Sequence, residues 1–154
     1  MSYEALPPAI VDAPSAVSWS EHVRVRVTPT EIDSVVRGPD WVIHELENVS
    51  AAAGVMVLVV KDADRVRRAA VRDLAKARAR AQETAKAEGG RVADIAARVE
   101  ALTEDEADAA DVAEAAYEYA RSVARLVEGR KSAVQTIGRM VEITYSLAGT
   151  RGGR

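Results

Sequence analysis

The stretch TEDEADAADVAEAAYEYARSVARLVEGRKSAVQTIGRMVEITYSLA, residues 103–148, decides how this chain folds. Within it Ala113, Ala116, Ala120, Val123, Val127, Arg130, Val134, Ile137, Val141, Thr144 and Ala148 recur at alternating steps of three and four residues. Those steps return to one face of an α-helix, and only Arg130 and Thr144 on that face are polar. A seam sustained at this period is the pattern of helices packed side by side, as in a coiled coil. Thr103 followed by Glu106 reads as a capping box, and the acidic first turn suits the positive end of the helix. A flanking stripe of Tyr117, Ala124, Lys131, Gly138 and Tyr145 recurs every seventh residue.

Upstream, Val59, Ala63, Val66, Ala70, Leu74, Ala77, Ala81 and Ala85 form a matching stripe, and Gly89-Gly90 ends that helix. Residues 91–102 read as a short amphipathic linker helix. Charge supports a fold-back independently. Residues 61–91 hold ten basic and five acidic residues, 92–120 hold one and nine, and 121–154 hold seven and two. An antiparallel turn near residues 90–103 lays the acidic start of the last helix beside the basic Arg65–Arg80 segment. Opposite charges flanking a seam set orientation and partner choice more than they add stability.

The N-terminal third reads differently. Residues 1–20, with Pro7, Pro8 and Pro14, are expected to be an extended, flexible arm. His22-Val23-Arg24-Val25-Arg26-Val27 alternates valine with polar residues and predicts a short strand. Thr28-Pro29-Thr30-Glu31 carries helix-start signals for a short helix ending at Gly38-Pro39, and Asp40 can cap another. Val55-Met56-Val57-Leu58-Val59-Val60 reads either as a buried strand or as the buried start of the long helix, and helix is the preferred reading. The expected architecture is mainly α: an arm (1–20), a small strand and short-helix segment (21–54), a long antiparallel helical hairpin (55–148) and a disordered tail (149–154).

Composition narrows the function classes. Hydrophobic residues reach 48% with no Phe and only 4% aromatics, so the apolar content is largely Ala and Val, as in closely packed helices. There is no Cys, which excludes disulfides, thiolate metal sites and cysteine nucleophiles. The start lacks the pattern of a secretory signal, and the run Val55–Val60 is too short to span a bilayer, so a cytoplasmic protein with no membrane role is expected. His22 and His44 belong to no metal-ligand pattern. The carboxylates from Glu104 to Glu114 lack the turned loop of a calcium site and read as a solvated helix start. Gly89-Gly90 lacks the residues of a phosphate loop, and no Ser sits in a nucleophile motif. No enzyme, cofactor, metal or small-molecule substrate is expected.

Two surfaces remain. Arg65, Arg68, Arg72 and Lys76 share one helical face and are the candidate contacts to single-stranded DNA. The acidic overall charge of −3, the facing acidic helix and the scarcity of stacking aromatics weigh against that role. A second basic set, Arg121 to Arg139, precedes an Arg-Gly-Gly tail, which reads more simply as a frayed end. Val123, Val127, Val134, Ile137 and Val141 are the candidate self-association residues, either closing a hairpin alone or a four-helix dimer. Tyr119, turned away from Tyr117 by helical spacing, is the candidate partner contact.

The segment Ala113-Glu114-Ala115-Ala116-Tyr117-Glu118-Tyr119-Ala120, with the later Ser132-Ala133-Val134-Gln135-Thr136-Ile137, resembles small helical-hairpin proteins of actinobacterial tailed phages over about residues 55–147. The resemblance implies recombination or replication accessories, or assembly factors. The expected function is thus a non-catalytic, homo-oligomeric accessory protein that touches single-stranded DNA or a DNA-processing enzyme. The alternative is a protein-only module, an assembly factor or an inhibitor of a host protein.

Overall fold

Asp12 starts the first helix by closing a capping box with Ser15: the Ser15 backbone N–H donates to Asp12 Oδ1 at 2.8 Å, and the Asp12 N–H donates to Ser15 Oγ at 3.3 Å. The structure, a computed structural model, describes residues 9–28 and 38–151 and contains four helices among them. They are α1 (Ala13–Val27), α2 (Pro39–Glu88), α3 (Val92–Leu102) and α4 (Glu104–Arg151).

The predicted strand at His22–Val27 is absent, because that segment is the second half of α1. Its two-residue alternation is overridden by a longer period. Ala13, Ala16, Ser20, Val23 and Val27 are spaced three and four apart and are all buried, while Val25 faces out. A six-residue window cannot separate the two periods, and the cap at Asp12 lies outside it. The expected arm does not reach residue 20, since residues 13–20 are helical and packed. Thr28 ends α1: its N–H and its hydroxyl both donate to Arg24 O, at 3.0 and 2.8 Å. The short helix expected from residue 29 lies outside the described residues.

Pro39 occupies the first turn of α2, with Gly38 rather than Asp40 at the cap. From there the helix runs 50 residues without a break, so Val55–Val60 is helical and the expected boundary at residue 54 does not exist. One 18-residue stretch of α2 reaches a mean hydropathy of 1.4, enough by length and composition to cross a bilayer, and one third of it is buried inside the chain. The six-residue run considered alone had hidden this. The same helix supplies Val49, Val55, Met56 and Val59 to the core. Gly89, at φ 75°, ends it in the left-handed conformation that glycine adopts without strain.

α3 then doubles back along α2, held by Arg98, which donates to Glu88 at 3.2 Å and to Gly89 O at 3.3 Å. Thr103, buried at the α3–α4 corner, donates its hydroxyl to Val99 O. Helix α4 continues through Gly149 to Arg151, so the first residues of the expected tail are helical.

α2 and α4 pack antiparallel along most of their length, as the opposed pairs Glu45–Arg130 and Arg67–Glu114 show. α1 lies in the groove between them and runs parallel to α4. Residues 11–14 sit beside 106–113, and Glu21 reaches Tyr119. The core is therefore three-helical over α1, with Val23, Val49, Met56, Val59, Val123 and Val127 fully or almost fully buried, and two-helical beyond it.

Candidate functional site

Arg65, Arg68, Arg72 and Lys76 stand on the outer side of α2, and the side chains of Arg65, Arg68 and Lys76 are each more than 60% exposed. Each of these three is answered by a carboxylate of its own helix. Arg65 lies 3.4 Å from Asp62 and also donates to Ile10 O, Arg68 lies 2.6 Å from Asp64, and Lys76 lies 3.3 Å from Asp73. Arg72 is exposed. The face is thus largely compensated, though by pairs three and four residues apart and not by the acidic start of α4.

At this level of the hairpin the bridge from α2 to α4 belongs to Arg67. Its guanidinium donates to Asp64 at 2.9 Å and to Glu114 at 3.1 Å, and lies 4.7 Å from the centre of the Tyr117 ring. The hydrogen bond from Arg67 holds the Asp64 carboxyl below its usual range, with Arg68 adding to the effect.

The five candidate self-association residues are occupied within the chain. Val123, Val127 and Val134 are buried against the chain's own helices, and Ile137 and Val141 are half-buried along the same seam. Of the two roles that the spacing left open, the seam serves the hairpin interface itself. Its polar member, Arg130, pairs with Glu45 at 2.7 Å, both side chains only 20% exposed. Gly138 serves the same interface, since a Cβ there would stand 3.0 Å from Val42 Cγ1. Tyr119 is also used internally. Its hydroxyl donates to Glu21, tying α4 to α1 and removing it as a free partner contact. Arg24 is the main cause, and Tyr119 the second, of a Glu21 carboxyl lowered to about 2.

A surface that sequence reasoning missed lies on the other side of α4. Leu126, Gly129, Ala133, Thr136, Met140 and Ile143 follow the same three–four steps, are uncharged and are all exposed. Met140 is 64% and Ile143 58% exposed. The signal was available in residues 103–148, but the Val-rich stripe is the stronger of two parallel patterns and hid the weaker one. Open clefts flank the hairpin among the described residues. One of about 760 Å³ sits where α1 begins, among Val11, Pro14, Val66, Ala70 and Ala113, and one of about 280 Å³ lies among Val42, Ile43, Gly138 and Tyr145. Among the described residues no three His, Asp or Glu side chains converge as metal ligands. Comparison with protein families, with curated proteins and with solved structures finds no match to this chain.

Proposed function

We propose that this chain is a non-catalytic accessory protein that works through protein contacts, an assembly factor or inhibitory module, using the outer face of α4. One observation carries the reading: after the hairpin has closed, a second apolar stripe at helical spacing stays exposed on the same helix. Contiguous exposed apolar surface costs solubility and marks interaction sites more often than scattered apolar residues do. An α-helical partner is the natural complement of a stripe at this period. The resemblance to helical-hairpin proteins of tailed phages supports the same class. A photo-crosslinking residue at Ala133, in the cell that encodes the chain, is expected to give discrete protein adducts, and the same residue at Ala79 none. Adducts at Ala79 alone would count against the reading.

A second reading, contact with single-stranded DNA, is favoured by the row of exposed cations from Arg65 to Lys76. Anisotropy of a labelled oligonucleotide at about 50 and 200 mM salt separates the two, because counterion release makes true phosphate contact steeply salt-dependent. Protein-only action predicts no binding at the lower salt. Binding that weakens with salt and vanishes when all four residues are changed to Ala would make DNA the ligand.

A further inference from the structure

We infer that the outer edge of α4 is covered by the outer edge of α2 from a second copy of the same chain, so that copies stack side by side in an open-ended row. The inference rests on the protein-contact reading above and names the partner.

Two rows of exposed residues run along opposite edges of the hairpin. On α2, steps of three and four pass from Ile43 through Gly54 and Lys61 to Lys76; on α4 they pass from Glu104 through Ser122 and Leu126 to Ile143. Every residue on both rows is exposed. The rows lie two residues away from seam positions such as Met56 and Ala63 in α2 or Ala116 and Val127 in α4. Two residues are a little over half a helical turn, so each row points away from the seam. Neither row includes Tyr119, through which α4 meets α1.

The hairpin sets the register. Val42 stands level with Gly138, Glu45 with Arg130 and Arg67 with Glu114, and a copy moved sideways without sliding keeps those levels. Across the new contact Lys61 faces Glu118, Arg68 faces Asp111, Arg72 faces Asp108 and Lys76 faces Glu104. Arg65 comes between Glu114 and Glu118. In the other half Leu58 faces Ser122, Gly54 faces Leu126, Ser50 faces Gly129 and Ile43 faces Thr136. Glu47 faces Ala133, so no layer sets like charge on like.

Block charges agree with the layers once the internal pairs Glu45–Arg130 and Arg67–Glu114 are left out. Residues 61–80 keep seven basic and three acidic side chains, and face 104–120 with six acidic and none basic. Residues 39–60 keep two acidic and none basic, and face 121–141 with four basic and one acidic. Among the described residues Arg72, Glu104, Asp108 and Asp111 make no ion pair within their own chain. Exposed ion pairs add little each, so the charges choose the edges and the register, while Ile43, Leu58 and Leu126 supply apolar area. Gly54 fits the same contact. Glycine is disfavoured inside a helix, and a Cβ at Gly54 would meet nothing within 4 Å in its own chain. Seating Leu126 of the next copy gives that glycine a use its own fold does not. Because the two edges are different surfaces, each added copy leaves one edge open for another.

Sedimentation equilibrium of the full chain at about 10–100 μM tests this at two salt concentrations. At about 10 mM, where charges act over about 30 Å, masses above a dimer that rise with concentration are expected; at about 1 M they should fall towards the monomer. Arg68→Glu with Arg72→Glu, or Asp108→Arg with Asp111→Arg, should each weaken association at least about tenfold, and mixing the two variants should restore it. Helicity should stay unchanged, because all four side chains are exposed. The edges are identified separately, using the native lack of cysteine. Gly54→Cys chains mixed with Leu126→Cys chains should form a disulfide, while neither alone should cross-link. Carried by one chain, the two changes should give a ladder of covalent multimers. An internal bridge is impossible, since outward-facing positions on paired helices lie at least about 12 Å apart. A monomer throughout at low salt, cross-links formed by either single variant alone, or a ladder that stops at two chains overturns the inference. A monomer that still gives adducts at Ala133 in the cell would overturn it while leaving the protein-contact reading standing with a different partner.

Discussion

A carboxylate gripped by a guanidinium and a phenol gives up its charge late on acidification, and Glu21 stands between Arg24 and Tyr119 in that way. Its value in the fold, about 2, lies below the ordinary 4.5. The stabilisation from the ionised group is therefore fully present above pH 4.5 and is lost as the pH falls through 2. Glu21→Gln is expected to be less stable than the native chain at pH 7, with the gap closing towards pH 2. Urea midpoints at several pH values check this, and a constant gap would show that Glu21 ionisation contributes nothing. Glu45 and Arg130 pose a different question. Glu45→Ala leaves the guanidinium in a seam four-fifths buried and should cost about 1–3 kcal/mol, less than a fully buried orphan because some water still reaches it. Glu45→Met combined with Arg130→Met should cost less than the two single changes summed.

Element by element, the pairing of α2 with α4 depends on a few close contacts. Gly138→Val should destabilise the hairpin by about 1–3 kcal/mol, because even the first added carbon meets Val42 Cγ1 at 3.0 Å. Val134 is fully buried in the same interface, so Val134→Asp should lose helicity and thermal stability together, as circular dichroism would record. If that variant changed the native mass while keeping its helicity, the seam would lie between molecules and not within one. The hairpin was legible beforehand because its signals are long: eleven positions in α4, a matching stripe in α2 and three blocks of charge. The glycine stop at residue 89 was legible for another reason, since Gly89-Gly90 is strong local punctuation, and it set off α3 as a separate helix. The N-terminal third was not. Six residues alternating His or Arg with Val fit a strand on one face, and only the burial of Ala13, Ala16 and Ser20 shows which period is used. Of the candidate sites, the cationic row was placed correctly on one outer face. Its neutralisation by Asp62, Asp64 and Asp73 was overlooked in favour of the more distant acidic helix. The seam residues could be read as closing the hairpin alone or as meeting a second molecule, because a stripe carries no label saying whose helix it meets.

For the molecule as a whole, two helices of 50 and 48 residues laid side by side fix more than a core. At 1.5 Å per residue each is roughly 70–75 Å long. A rod of that length has a radius of gyration of at least about 21 Å, against about 15 Å for a compact domain of the same chain length. One molecule therefore drags on the solvent like a much heavier sphere. On a sizing column a single chain should elute early, at a position a globular calibration reads as a dimer, and its frictional ratio should stand well above that of a sphere. Elution volume alone would thus report two copies whether one or two were present, and only a shape-independent mass can count them.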